Sequence, residues 1–232
     1  MVPFHLDEET LALMEDTFDI DHDASRIARR EGEPVGLGNL GVRGDDGWIG
    51  GVGVVPAARR GGVGEALMRA LHEQAEERGL RRVWLEVIVE NTGAFALYEK
   101  LGYRTVRDVE VWSLPAALDD EIAVQEVTAA EAHARIRELR SWREPWQRAD
   151  ETLAHYVDAR GLAHDDAAAV FRPGATVQLV QLAGPAEPLL RALRRLGPVS
   201  MLNLPAHDAA AAVLRRLGGI VAVRQHEMLL EL

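Results

Sequence analysis

Apolar residues recur along this chain with two spacings, and the switches between them outline its elements. Leu11, Met14 and Phe18 share one stripe of a helix over 7–18 that Asp7 caps. Turn clusters at Glu31, Gly32, Glu33 and Pro34, and again at Gly44, Asp45, Asp46 and Gly47, separate strands near 25–30, 35–43 and 48–55. The period then becomes helical over 64–78, with Val63, Leu67, Ala70 and Leu71 on one side and Gly79 as a left-handed cap. Over 83–89, Val83, Leu85, Val87 and Val89 alternate with Trp84, Glu86 and Ile88, so both faces are largely apolar, as in a central strand. Asn91 opens another helix, with Ala94, Leu97, Tyr98 and Leu101 on one face. Gly102 closes it before a strand over 104–114.

Strands, turn, helix, strand, helix and strand in that order describe an α/β layer with a mixed sheet flanked by helices. Pro115 to Asp120 break the pattern, and strand and helix signals restart at Ile122 and Glu131, which divides the chain into domains 1–115 and 121–232. The second half reads as a worn, smaller copy of the first. Val83 falls on Val199, Ala94 on Ala210, Ala96 on Ala212, and Leu101 with Gly102 on Leu217 with Gly218; one inserted residue later, Glu110 falls on Glu227. The copy lays Gln181 and Leu182 over Arg59 and Arg60, and Pro185 over Val63, where it removes a backbone donor. Trp142 and Trp146 stand one helical turn apart around Pro145, and either packing between the halves or lining of a substrate pocket accounts for them. The pairs Arg194 with Arg195 and Arg215 with Arg216 read as solvated faces.

Composition narrows the chemistry. The 232 residues are 47% apolar, enough for a sizeable core, and carry a net charge of −11 with no basic stripe, which argues against nucleic acid. No apolar run approaches the roughly 18 to 20 residues that cross a bilayer, and the acidic N-terminal residues do not suit a signal peptide, so a cytoplasmic protein without membrane contact is expected. The absence of cysteine excludes disulfides and thiolate chemistry. The eight histidines show no HExxH spacing, and no metal is expected. GxxxxGK[ST] is missing, and no third glycine completes a GxGxxG fingerprint.

The remaining signal is the stretch from Val54 to Leu67, where an apolar strand passes through Gly61, Gly62 and Gly64 into a helix. Glycines there let successive amides converge on an anion. The helix adds unpaired N-terminal donors, and Arg59 and Arg60 add charge suited to a diphosphate. Alone, such a turn has the alternative reading of a tight strand-to-helix connection.

Three ordered blocks give it context: VVPAARRGGVGEALM, LEVIVEN and AFALYEKLGY. Together they resemble the GCN5-related N-acetyltransferase (GNAT) superfamily over residues 24–114, and the whole chain is similar to tandem members with a degenerate second domain lacking the phosphate-binding loop. The resemblance implies acetyl-CoA as cosubstrate, with main-chain groups of Val54 and Val55 on the pantetheine arm, and Arg59, Arg60, Gly61, Gly62, Val63 and Gly64 around the pyrophosphate. It implies that Asn91 bonds the pantetheine, although an Asn there equally caps the helix. Tyr98 would protonate the departing thiolate, against the alternative of a buried core aromatic. Glu86, an acid within an apolar strand, is the candidate general base; a structural acid is the other reading. The implied reaction moves acetyl to a primary amine of a small molecule or peptide, the alternative being a non-catalytic acyl-CoA sensor or interaction module. Domains of this superfamily usually open with a strand and a helix where this chain shows a helix alone. A sheet edge is then left for the second half or another subunit to cover, and a homodimer is one arrangement that does so.

Overall fold

The computed structural model describes residues 8–118 and 122–232; the side chains of 8–11 are not part of the description, so the expected cap Asp7 and stripe residue Leu11 lie outside it. Contacts divide the chain into two units, residues 1–106 with 226–232, and residues 107–225. In the first unit α1 (Glu8–Thr17) leads into β1 (Ile20–Arg30), β2 (Glu33–Arg43) and β3 (Asp46–Val54), followed by α2 (Val63–Glu77), β4 (Arg82–Ile88), α3 (Thr92–Lys100) and the start of β5 (Arg104–Leu114). Strands β1, β2 and β3 form an antiparallel meander, and β4 lies parallel to β3. Glu31 and Gly32 both have positive φ, which makes the tight β1–β2 turn that matches strand twist.

β1 is longer than its apolar alternation suggests. Its first half is held by local bonds: Asp21 accepts the Ala24 N–H at 3.0 Å, and the Ser25 hydroxyl donates to the Asp21 carbonyl at 2.8 Å. These accompany a bulge between Asp21 and Arg26, so no period of two marks this part in the sequence. The core of the unit packs Leu40, Ile49, Val83, Leu85 and Val87 of the sheet against Met68, Leu71 and Ala75 of α2, with Tyr103 and Met228. α2 comes close to the sheet because Gly38 has no side chain: a Cβ there would lie 2.8 Å from Leu71 Cδ1.

The second unit contains β6 (Gln125–Thr128), α4 (Ala129–Leu139), α5 (Asp150–Ala154), β7 (Arg160–His164), β8 (Ala167–Arg172), β9 (Val177–Ala183), α6 (Ala186–Leu196), β10 (Val199–Pro205) and α7 (Ala209–Arg216), with the first part of β11 (Ile220–Glu231). Thr128 and Glu131 cap α4 reciprocally, which fixes where that helix begins. β7, β8 and β9 form a second antiparallel meander, and β10 is parallel to β9. Leu189, Leu190 and Leu193 of α6 and Leu214 of α7 pack in one core, whereas Ala132 and Ile136 of α4 pack with Val170 and Val180 in another. Three antiparallel strands, a helix, a parallel strand, a helix and a final strand occur in both units.

The final strands are exchanged relative to sequence order. β10 pairs with β5 in antiparallel register from Val199 opposite Leu114 to Pro205 opposite Val109, while the strand beside β4 is β11, whose residues 226–231 belong to the first unit. Other local expectations change as well. Trp142 and Trp146 do not share a helix, because the chain after Arg140 is irregular and Trp146 starts the 3-10 turn Trp146–Arg148 behind Pro145. Of the arginine pairs, Arg195, Arg215 and Arg216 are exposed, as a solvated face requires, although Arg215 also bonds Glu110 while stacking on Trp112 and Arg216 bonds Glu187; Arg194 is half-buried and donates to the Leu217 carbonyl at 2.8 Å. Among the described residues no helix is long and apolar enough to cross a membrane.

Candidate functional site

In the first unit β3 and β4 pair over three positions, Asp46 with Arg82, Gly47 with Val83 and Trp48 with Trp84. Beyond Trp48, β3 keeps its partner β2 as far as Val54 while β4 runs on to Ile88. The two strands therefore part on the side where the glycine loop begins. Val55 N–H donates to the Val35 carbonyl at 3.0 Å, and antiparallel alternation then turns the main chain of Val54, and of Val52 two residues earlier, toward the gap. Of the two valines expected to offer backbone groups, Val54 faces the gap and Val55 faces β2. Val52 was legible from the same period of two.

The loop after β3 combines a 3-10 turn with two left-handed residues ahead of α2. Pro56–Ala58 form a 3-10 turn, Arg60 and Gly62 take left-handed φ values of 60° and 82°, and α2 starts at Val63. Gly62 at the N-cap has no side chain to satisfy the first amides of α2, which lack partners within the helix. Glu65 would oppose an anion here, but Lys100 at 2.7 Å and Arg69 at 2.8 Å both bond its carboxylate, Lys100 contributing most to holding that carboxyl below its usual range. Arg59 and Arg60 are exposed, and Arg59 Nε donates to the Val54 carbonyl at 2.9 Å. A third guanidinium belongs to this group: Arg30 Nη2 lies 3.3 Å from where a Cβ on Gly61 would sit. Nothing in the linear sequence ties Arg30 to the loop; the hairpin register brings it there. Gly64 faces both Val54 and α3, where a Cβ would lie 3.9 Å from Val54 Cγ2 and 3.8 Å from Leu97 Cδ2.

α3 carries the remaining candidates. The Asn91 side chain accepts the Ala94 N–H at 3.3 Å, a helix cap that leaves its amide nitrogen to donate elsewhere. Tyr98 is half-buried, with its ring 5.9 Å from that of Tyr103, and burial raises its hydroxyl above the ordinary tyrosine value. The Tyr103 hydroxyl lies 2.9 Å from His72 Nε2. Burial, with the Arg69 charge nearby, lowers His72 to about 4, so at neutral pH its ring is uncharged.

Glu86 stands on β4 two residues past Trp84, where the strands separate, and is half-buried. Because Val83, Leu85 and Val87 face the α2 core, alternation places Glu86 on the opposite face of the sheet. There the Trp48 indole N–H donates to Glu86 Oε2 at 2.8 Å, and the Trp48 ring meets Phe18 edge to face at 5.6 Å. Trp48 carried no signal of its own in the sequence, since only cross-strand register brings it to Glu86.

The second unit has a corresponding place and a different content. β9 and β10 pair at Val177 with Val199 and at Gln178 with Ser200, after which no pairing continues between them. Gln181, three residues further on, is buried and donates from Nε2 to the Arg148 carbonyl at 2.6 Å, and the 3-10 turn Trp146–Arg148 also contacts β10. Glu144 and Arg148 form an ion pair at 3.0 Å with both side chains buried, and burial pushes the Glu144 carboxyl up against the opposing pull of Arg148 and Arg140. Residues 144–152 thus bridge the two strands past their last pair. In the first unit the matching stretch of β3 has Gly51 and Gly53 exposed, with open space where their side chains would be.

Residues 2–103 match the family described as acetyltransferase (GNAT) family. The chain is 44% identical over 52 residues to the [ribosomal protein bS18]-alanine N-acetyltransferase of Escherichia coli, a match covering 22% of this chain and 35% of that enzyme. Its fold is similar to that of a GCN5-related N-acetyltransferase from Sphaerobacter thermophilus, with TM-score 0.66, 18% identity, and coverage of 87% of this chain and 78% of that one. It is also similar to a tandem GNAT protein from the clavulanic acid biosynthesis pathway, with TM-score 0.58, 15% identity, and coverage of 97% and 95%. The structural likenesses bear on the fold, which extends over both units, and the sequence match on the segment 2–103. Through that segment, less than half of the chain, the first unit matches the acetyltransferase (GNAT) family.

Proposed function

We propose that the first unit transfers acetyl from acetyl-CoA to a primary amine, and that the second unit, a degenerate copy, binds no acetyl-CoA. The observation that carries this reading is the parting of β3 from β4 after Trp48, with the freed end of β3 leading into the left-handed turn at Arg60 and Gly62. A pantetheine arm needs an open strand edge, a diphosphate needs converging amides, and both lie in sequence here. Val52 and Val54 would bond the arm; Gly61, Gly62, Val63 and Gly64 would receive the pyrophosphate on their amides; Arg30, Arg59 and Arg60 would balance its charge. Asn91 would donate its side-chain amide to the arm while its oxygen caps α3.

The amine nitrogen attacks the thioester carbonyl carbon, a new C–N bond forms and the C–S bond breaks. Glu86 takes the proton that the amine gives up, and Tyr98 gives its hydroxyl proton to the departing sulfur. A tyrosine whose burial keeps it protonated well past neutral pH suits that donation. Positioning of the two reactants supplies up to about 7 to 11 kcal/mol in favourable systems, so the side chains need not carry the whole barrier. The acceptor is an amine of a peptide or small molecule. Because the matched Escherichia coli enzyme is named for an alanine of a ribosomal protein, an alanine-initiated peptide is the first acceptor to try. Cytoplasmic acetyl-CoA would be the donor.

Calorimetry with acetyl-CoA and release of free thiol with a panel of primary amines test this together. The expected result is one acetyl-CoA per chain, turnover with at least one amine, and a fall in kcat of about 100-fold or more in Tyr98→Phe with the affinity for acetyl-CoA retained. Tight binding with no turnover on any amine would favour an acyl-CoA sensor. A chain with no affinity for acetyl-CoA would sink both readings.

A further inference from the structure

We infer that Trp48 is a positioning residue for Glu86, its indole N–H fixing the carboxylate at the point where β3 and β4 part. The inference rests on the reading of Glu86 as the general base. It starts from register. Trp48 and Trp84 are the last paired residues of the two strands, and Glu86 is two residues beyond on the same face as Trp84. A carboxylate placed there has lost the support of a neighbouring ladder, so its orientation depends on side chains. Trp48 reaches it diagonally across the strands, with Nε1 2.8 Å from Oε2, a hydrogen bond to a group that is charged when it acts as a base.

Two further features constrain the indole. Phe18, just after α1, meets it edge to face at 5.6 Å, and Trp48 is buried. The second is Gly50. The register of β2 with β3 slips between Asn39 opposite Gly51 and Leu40 opposite Ile49, which makes Gly50 the extra residue of a bulge. A Cβ on Gly50 would lie 2.5 Å from Trp48 Cζ3 and 2.8 Å from Cη2, distances no side chain tolerates, so the indole occupies the place a side chain at residue 50 would take. A bulge, a glycine and an aromatic contact therefore converge on the orientation of one N–H. By contrast, Trp84 donates to Asp46, a carboxylate that Arg82 also binds, and that pair lies on the closed side of the strands.

The test is a double-mutant cycle on thiol release from acetyl-CoA, using an alanine-initiated peptide and a panel of primary amines. Trp48→Phe keeps an aromatic ring against Phe18 and removes the N–H. The expected result is a fall in kcat of about tenfold or more with the KM for acetyl-CoA unchanged, and no further loss when Trp48→Phe is added to Glu86→Gln. A Trp48 that served packing alone would lower both backgrounds by the same factor, and that result overturns the inference. Full activity in Trp48→Phe overturns it equally. Full activity in Glu86→Gln would instead remove the base reading on which it stands, as would absence of turnover with every amine. Independently of any acceptor, the Trp48 indole proton resonance, identified by its loss in Trp48→Phe, should shift in Glu86→Gln. Should Trp48→Phe not fold, the resonance is assigned instead by triple-resonance connectivity to the Trp48 backbone, and Gly50→Ala, which displaces the indole without deleting it, is expected to shift it and lower kcat; an unmoved resonance and unchanged kcat would overturn the inference.

Discussion

His72 is a histidine that the fold keeps neutral. Its ring sits between α2 and Tyr103, where desolvation costs the imidazolium more than the imidazole, and its folded value of about 4 lies below the ordinary 6.5. A folded state that binds the proton less readily than the unfolded chain loses stability as pH falls. The contribution is full above about 6.5, shrinks between 6.5 and 4, and is exhausted below that. Urea unfolding of the parent and of His72→Gln at several pH values across this window should show a smaller decline in the variant, since glutamine does not titrate. Parallel declines would mean that other groups account for the acid sensitivity. The same scale shows what a sequence can reveal about single residues. Asn91 as a cap and Tyr98 on an apolar stripe follow from neighbours in the chain, whereas Arg30 beside Gly61 and Trp48 beside Glu86 depend on strand register, which local pattern does not encode.

At the scale of elements, the two strand partings differ in what fills them. In the first unit β3 ends in glycines and open space; in the second, Gln181, Arg148 and Glu144 are buried where the strands separate. In the glycine loop Gly62 was legible, as were the helix ends at Gly79 and Gly102, because left-handed φ is a local demand that glycine answers, whereas the left-handed φ of Arg60 carried no such signal. The bridging segment was not. Helical spacing of Trp142 and Trp146 concealed an irregular stretch whose conformation is set by Pro145 and by the bond between Arg148 and Gln181. Its stability has a testable asymmetry. Arg148→Met should destabilise the second unit by about 3 to 5 kcal/mol, because Glu144 is left buried without its nearest cation. Adding Glu144→Leu should recover most of that loss, since two apolar side chains avoid the desolvation of both charges. Denaturant unfolding of the single and double variants measures this, and a double variant less stable than Arg148→Met would show that the pair contributes more than it costs to bury.

At the scale of the whole molecule, the fold class and the repetition were legible, and the pairing of the closing strands was not. The sequence assigns 104–114 to the first half and the stretch ending in Leu232 to the second, because strand order is read along the chain. Contacts group most of β5 with β10 and the end of β11 with β4. Both strands have alternating apolar positions, and alternation says that a strand is buried on one face without saying beside which neighbour. The consequence is that the first unit depends on residues at the far end of the chain. Met228 is fully buried in the same core as Met68, Leu71 and Tyr103, more than a hundred residues from them in sequence. Met228→Ala should cost about 2 to 5 kcal/mol, the range for emptying a buried methionine site. Since acetyl-CoA stabilises the unit that binds it, the loss should fall on the unfolding transition that acetyl-CoA raises. Leu190→Ala, in the core beneath α6, should leave that transition less affected. Thermal unfolding of both variants with and without acetyl-CoA separates these outcomes; a Met228→Ala variant whose ligand-raised transition is unmoved would place residues 226–232 with the second unit after all.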